Sequence, residues 1–250
     1  MKKIYKIKNE GLLIDCKINE YDDIIEKRMM MFDETNEYNK YIIIEELSTK
    51  YYITKEEIIK GKLIHTDLYQ LINNVISNII NDEDALYIHS SVIQKKGKTI
   101  LILGDFGSGK TTLSVLAAKR GYTILSADQS FLSYKDNELC LSLGSKYLKY
   151  NDRDTVLADT RGMYKINFII ELKGMCFNGD ININKETNFD HYVKKINRYC
   201  TWTIQNLLFT DSRDLNLNKL NILNFIKKMN VPLYNVRGDY EKILKELEEL

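Results

Sequence analysis

Ile100-Leu101-Ile102-Leu103-Gly104-Asp105-Phe106-Gly107-Ser108-Gly109-Lys110-Thr111-Thr112-Leu113 is the stretch on which the fold turns. Its four leading apolar residues read as a buried strand, and the residues from Lys110 to about Lys119 read as a helix. Between them, Gly104 to Thr111 satisfies G-x-x-x-x-G-K-[ST] at every required position. Glycines let the backbone curl so that consecutive N–H groups point at phosphate oxygens with no Cβ in the way. The start of the following helix adds the positive end of its dipole. On this reading Gly104, Asp105, Phe106, Gly107, Ser108 and Gly109 cradle a triphosphate, and Lys110 reaches its β- and γ-phosphates. The Thr111 hydroxyl sits on Mg²⁺ and Thr112 reaches toward the α-phosphate. An eight-residue pattern occurs by accident, but a strand before it and a helix after it make it a nucleotide site, with ATP and Mg²⁺ as cofactors. A loop that binds without turnover satisfies the same pattern.

Downstream, Gly121 ends the loop helix and Tyr122-Thr123-Ile124-Leu125-Ser126 supplies the next strand. Asp128 lies just past it, where a doubly wound sheet would turn it toward the loop; a turn or N-cap aspartate is the plainer alternative. Further strands are expected at Phe131–Tyr134, Leu139–Leu143 and Lys165–Leu172. Helices follow at about Asp190–Phe209 and Leu217–Met229, then a strand at Pro232–Val236 and a helix at Asp239–Leu250. Trp202 and the aromatic residues around it read as core. Upstream, Leu86–Gln94 and Lys98–Leu103 read as two strands around Lys95-Lys96-Gly97. Before them, Leu68, Leu71, Ile72, Val75, Ile76, Ile79 and Ile80 make one apolar helix face, with Thr66 or Asp67 as its cap. The first sixty residues are β-rich: Ile4–Lys8 and Leu12–Ile18 around a turn at Asn9-Glu10-Gly11, then Tyr41–Ile44 and Tyr51–Thr54. Residues 1–84 therefore read as a β-rich amino-terminal segment with an amphipathic helix, and 85–250 as a P-loop domain.

The whole chain of 250 residues is 44% hydrophobic and 28% charged, which suits one large or two small globular domains. A net charge of +1 speaks against a protein built to bind nucleic acid or anionic lipid. Its apolar runs are too short for a membrane span, and Met1-Lys2-Lys3 is followed by no signal-peptide stretch, so a cytoplasmic location is expected. Cys16, Cys140, Cys176 and Cys200 are scattered and read as buried thiols. The three histidines form no local cluster with them, so a structural zinc site is not expected.

Tyr87-Ile88-His89-Ser90-Ser91-Val92-Ile93, the basic turn, the loop Gly104–Thr111, and Arg120-Gly121-Tyr122-Thr123-Ile124-Leu125-Ser126-Ala127-Asp128 occur in that order. The arrangement resembles the catalytic domain of HPr kinase/phosphorylase and the smaller HPr-kinase-like proteins, well over residues 85–175 and again at Val231–Val236. The resemblance implies an α/β, P-loop-containing HPr-kinase-like (PEP carboxykinase-like) catalytic domain. It implies that His89 lies near the transferring phosphate, and that Asp128 acts at the acceptor hydroxyl and beside the metal. Gln129 stands where the family has a second aspartate, which removes a charge that would help hold Mg²⁺ and puts the reverse, phosphorylase direction in doubt. Val156–Met163 resembles the family's acidic-x-Arg-Gly signature, making Asp159 the acid and Arg161 the arginine; a solvated loop is an equal alternative. Lys146–Tyr150 reads as a solvated face, with phosphate or an acidic substrate as the alternative.

The resulting expectation is an ATP/Mg-dependent kinase that phosphorylates a hydroxyl, serine of a peptide or small protein or a small-molecule hydroxyl. By resemblance the chain is a homo-oligomer. The alternatives are a nucleotide-binding accessory protein or switch in a biosynthetic pathway with little transfer, and an NTPase or metabolite kinase outside this family.

Overall fold

The first hairpin joins β1 (Lys2–Ile7) to β2 (Glu10–Cys16), paired from Lys2↔Asp15 to Ile7↔Glu10. The reversal falls at Lys8-Asn9, one residue earlier than expected, and Lys8 takes the left-handed φ of 55°. Gly11 is thereby drawn into β2, where a Cβ would overlap the carbonyl oxygen of Glu37. The structure, a computed structural model, describes all residues except 46–47, 53–58, 62–64, 152, 158–161, 175–180 and 202–211.

A 3-10 turn (Asn19–Tyr21) leads into α1 (Asp22–Met29), a helix that the apolar periodicity does not announce. Asp22 and Asp23 at its start and Lys27 and Arg28 at its end complement the helix dipole, and Ile25 and Met29 are its buried anchors. With β3 (Asp33–Glu34), β4 (Lys40–Glu45), β5 (Ser48–Tyr52) and β6 (Ile59–Gly61), the hairpin builds a six-stranded sheet ordered β3-β1-β2-β4-β5-β6. Within it, β2 and β4 run parallel from Leu12↔Lys40 to Cys16↔Ile44. Helix α2 (His65–Ile80) buries Leu68, Ile72, Val75, Ile76 and Ile80 in the core of this sheet. It begins at His65, so Thr66 and Asp67 lie inside its first turn and not before it.

The apolar stretch Leu86–Gln94 is two strands, β7 (Ala85–His89) and β8 (Ser91–Lys95), divided at Ser90. They have different neighbours, which is why the chain breaks there: β7 pairs with β11 (Gln129–Lys135), while β8 pairs with β9 (Lys98–Leu103) and β10 (Thr123–Ser126). Helix α3 (Lys110–Lys119) lies between β9 and β10 and stops at Gly121, whose φ is 82°. After β11 come β12 (Glu138–Gly144), the small hairpin of β13 (Tyr147–Tyr150) and β14 (Arg153–Val156), β15 (Tyr164–Leu172) and β16 (Asn182–Lys185). The carboxy-terminal elements are α4 (Phe189–Thr201), α5 (Ser212–Lys228), β17 (Leu233–Arg237) and α6 (Tyr240–Glu249), the last capped by Asp239 accepting from the Lys242 N–H. The expected helix to Phe209 is seen as far as Thr201; its remainder and Trp202 lie outside the described residues.

The second sheet has nine strands, ordered β10-β8-β9-β15-β12-β11-β7, with β17 also on β15 and β16 on β17. It is mixed, not the doubly wound parallel sheet that βα alternation suggests. Among the described residues its parallel pairs are β9–β15 and β15–β17. Tight reversals such as Lys96-Gly97 and Asp136-Asn137, all at positive φ, permit only antiparallel neighbours. Alternate residues of β9 and β15 serve opposite faces. Leu101, Leu103 and Ile169 pack against Tyr192, Ile196 and Phe225 of α4 and α5. Ile100, Ile102, Ile170 and Leu172 pack against Leu113 and Ala117 of α3 and Ile243 and Leu244 of α6. Lys146–Tyr150, read as solvated, forms β13, and Leu148 turns into the core shared with α3. No described helix is long and apolar enough to cross a membrane. Cys16, Cys140 and Cys200 are buried; Cys176 lies outside the described residues.

Candidate functional site

The pairing directions bring β9, β10, β15 and β17 to one edge of the second sheet at their carboxyl ends, near Leu103, Ser126, Leu172 and Arg237. β7 also ends there, at His89 opposite Gln129, so residues far apart in sequence meet at that edge.

The glycine-rich turn between β9 and α3 owes its shape to three glycines. Gly107 and Gly109 take φ of 77° and 92°, which disfavour any other residue. A Cβ on Gly109 would overlap the Tyr240 hydroxyl, and one on Gly104 would overlap Ser108 Oγ. The turn is held by the Ser108 N–H donating to Asp105 O at 3.1 Å and by Tyr240, whose hydroxyl donates to Ser108 O at 2.9 Å. Arg198 of α4 donates to the Asp105 carboxylate at 2.7 Å, and Phe106 at the tip is 88% exposed. Ser108 Oγ is buried with no hydrogen-bond partner among the described residues. Lys110 folds back under the turn, its Nζ donating to Gly104 O at 2.6 Å and Asp105 O at 3.1 Å. Burial lowers its pKa, while the carboxylates of Asp128 and then Asp105 oppose that shift. Thr111 and Thr112 follow, half-buried, in the first turn of α3.

Asp128 is placed by a joint of buried serines. Its carbonyl accepts from the Ser90 N–H at 3.0 Å, and the neighbouring Ala127 carbonyl accepts from Ser91 Oγ at 2.8 Å. Ser126 Oγ donates to Gln129 O at 2.6 Å, and Ser90 Oγ donates to Ser130 Oγ at 2.7 Å. Small hydroxyl side chains suit this place because two strand ends cross closely and their backbone groups need partners away from water. The Asp128 carboxylate, 30% exposed, receives Arg28 Nη1 on Oδ2 at 2.9 Å and has His89 Nδ1 3.2 Å from Oδ1. Burial alone would raise its pKa, but the charges and hydrogen bonds of Arg28 and then His89 hold it well below the usual carboxylate range. Gln129 is fully buried with Nε2 3.4 Å from the same Nδ1, and its Oε1 has no hydrogen-bond partner among the described residues.

The structure therefore gathers His89, Lys110, Asp128 and Gln129 around the glycine-rich turn, while Asp159 and Arg161 lie outside the described residues. It adds one residue that motif reading passes over, Arg28. In sequence Arg28 belongs to a run of charges that looks like a solvated helix face; only its flanking Met29 and Met30 hint otherwise. Its side chain is 6% exposed, and its contact with Asp128 spans 100 residues.

The turn fits a polyphosphate: glycines whose backbone no Cβ shields, a buried lysine and a buried serine hydroxyl with hydrogen-bonding capacity to spare. The fit to Mg²⁺ is narrower. Both oxygens of Asp128 are engaged by Arg28 and His89, Gln129 brings no charge, and no group of three or more His, Cys, Asp or Glu among the described residues could hold a metal ion. Thr111 is left as the protein's candidate metal contact, and Asp128 fits a hydroxyl better than a cation. A separate cleft of about 290 Å³, lined by Glu186, Phe189, Tyr192 and Met229–Leu233, lies at the amino end of β17.

No family model matches the chain, and no curated protein matches it. Among solved structures it is similar to the Hpr(Ser) kinase/phosphatase from Coxiella burnetii, with a TM-score of 0.36 and 13% identity over 66% of this chain and 92% of that one. At that depth the likeness carries no argument about function.

Proposed function

We propose that the chain binds ATP, with Mg²⁺ on its phosphates, at the turn Gly104–Thr112 and transfers the γ-phosphoryl group to a hydroxyl, first among candidates a serine of a peptide or small protein. One observation carries this reading: His89 and Asp128 lie at the same sheet edge as the glycine-rich turn, close enough for the Asp128 carboxylate to act on the Lys110 ammonium. In transfer, the acceptor oxygen bonds to the γ-phosphorus as the bond to the bridging oxygen of ADP breaks, and the hydroxyl proton leaves through Asp128. A carboxylate held so far below its usual range is a weak base. Its work is to orient the hydroxyl and take the proton late, as a loose transition state permits. When bound, Mg²⁺ neutralises charge on the phosphates; Lys110 and the Thr111 hydroxyl are the groups this chain offers beside it.

The test is ADP release from Mg-ATP with and without a pool of serine peptides and small hydroxyl compounds, on the wild type and Asp128→Asn. Acceptor-stimulated turnover that drops by at least about a hundredfold in the variant is expected. A second reading, nucleotide binding without transfer, is favoured by Gln129 and by Lys110 being satisfied by carbonyls of its own loop. Tight ATP binding with no ADP under any acceptor decides for it.

A further inference from the structure

The acceptor side of this site contains a group from outside the P-loop unit. Arg28 projects from the last turn of α1, a helix of the amino-terminal sheet unit, and its guanidinium is almost wholly buried against Asp128. It does not approach as a loose surface charge. The Arg28 charge also acts on the Tyr87 phenol, opposing the rise that burial gives its pKa; Tyr87 is fully buried, and its hydroxyl donates to Asn73 Oδ1 of α2 at 3.2 Å. Asn81, just past α2, accepts the Tyr87 N–H at 2.7 Å. The guanidinium thus meets the carboxylate from a largely buried position, in the field of a tyrosine that α2 and the residue after it hold in place. A planar fork held this way sets the position of a carboxylate oxygen far better than a flexible ammonium would.

We infer that Arg28 is an acceptor-side positioning residue of the transfer site: by binding Asp128 Oδ2 it turns Oδ1 toward His89 and the reacting hydroxyl, so that the site is complete only when α1 of the amino-terminal unit is docked. This rests on the transfer reading above. Arg28 touches neither nucleotide nor acceptor; it acts through Asp128. Without the guanidinium, the Asp128 carboxylate loses its anchor on Oδ2 and can turn away from His89 toward Lys110, the other cation whose field it already shares. Nucleotide affinity then changes little, whereas the hydroxyl loses its fixed partner. An ångström of misplacement at a reacting group is enough to cost about a hundredfold in rate.

The experiment measures ADP formation from Mg-ATP in the full chain, with water and with the serine-peptide pool as acceptors, for Arg28→Gln, Arg28→Lys, Arg28→Ala, Asp128→Asn and Arg28→Gln/Asp128→Asn. ATP affinity and thermal melting are recorded alongside. The expected result is a kcat at least about tenfold lower in Arg28→Gln with KM for ATP within about threefold of wild type. The double variant should be no slower than Asp128→Asn alone, because the two groups act as a unit. Added methylguanidinium should restore part of the rate in Arg28→Ala. A purely structural role would give neither the non-additivity nor the rescue. Wild-type kcat in Arg28→Gln, or a loss additive with that of Asp128→Asn, overturns the inference while leaving the transfer reading intact. No turnover by the wild type overturns both. If Arg28→Gln does not fold, Arg28→Lys decides: a kcat lowered at least about threefold at unchanged KM supports the inference, and an unchanged kcat sinks it.

Discussion

Gly109 shows at the scale of one residue how little room the glycine-rich turn leaves for a side chain. Its φ of 92° and the Tyr240 hydroxyl leave no room for a Cβ, so Gly109→Ala should destabilise the chain by about 2 kcal/mol and weaken ATP binding at least about tenfold, measured by urea unfolding and by calorimetric titration. Lys110 makes the complementary case. Its ammonium is buried against two backbone carbonyls, and burial is the main cause of its lowered pKa. Lys110→Met should therefore leave the melting temperature of the nucleotide-free protein unchanged or raised, while ATP affinity falls about a hundredfold. Asp128 carries the opposite sign. Its folded pKa is depressed below the unfolded value near 4, so the stability it contributes is complete above about pH 4 and disappears as the pH falls through the folded value. Unfolding free energy measured from pH 6 to pH 2 should fall less steeply in Asp128→Asn than in the wild type. Of these residues, the turn and Lys110 were legible as a candidate site in the sequence, because the G-x-x-x-x-G-K-[ST] pattern sets glycine, lysine and hydroxyl at fixed local spacing. His89 and Asp128 were legible only through their order along the chain. Arg28 was not, because a contact spanning 100 residues leaves no local period.

Elements add a second lesson, in α4. Three of its residues staple it to the sheet edge beside the glycine-rich turn. Arg198 binds Asp105 at 2.7 Å, Tyr199 donates to Glu171 Oε1 at 2.8 Å, and Lys195 lies 3.6 Å from Glu171 Oε2 while also binding Glu186 and Asn235. Glu171 is fully buried at the end of β15, opposite the last residue of β9, and Lys173 is its other ammonium partner. Lys195→Met removes one of two cations from a carboxylate that water does not reach, so a loss of about 2 kcal/mol in urea unfolding is expected. The pairing was invisible in sequence, since nothing marks Lys195 among the lysines of an amphipathic helix. The same limit explains the elements misread. The apolar run Leu86–Gln94 was one strand by composition and two by partners, because strand pairing is decided by residues elsewhere in the chain. Helix α1 was passed over because it is short and charged and buries few apolar residues. Helices α2, α3 and α6 were read nearly to their ends, each carrying its own periodicity, cap or stop.

For the molecule as a whole, the question is whether the two sheets unfold as one. Ala85 and Tyr87 belong to the second sheet by pairing, yet their side chains are part of the core under the first sheet. Polar contacts cross the same boundary: Asn81 binds the Tyr87 N–H, and Arg28 binds Asp128. Separating the units would expose a fully buried tyrosine and strand a guanidinium and a carboxylate from each other, each loss costing on the order of several kcal/mol. Local opening of the first unit is then about as costly as global unfolding, and the two should melt in a single transition. Ligand linkage makes this measurable. ATP at about a hundred times its Kd should add about 2.7 kcal/mol to global unfolding. Because that increment belongs to the whole cooperative unit, it should also appear in hydrogen exchange of the β2–β4 ladder from Leu12 to Cys16, which lies in the sheet that does not carry the glycine-rich turn. Protection gained only in β8, β9 and α3 would show that the amino-terminal sheet opens on its own. Arg28→Gln should produce that uncoupled pattern in part, since it removes an ion pair that ties α1 to Asp128.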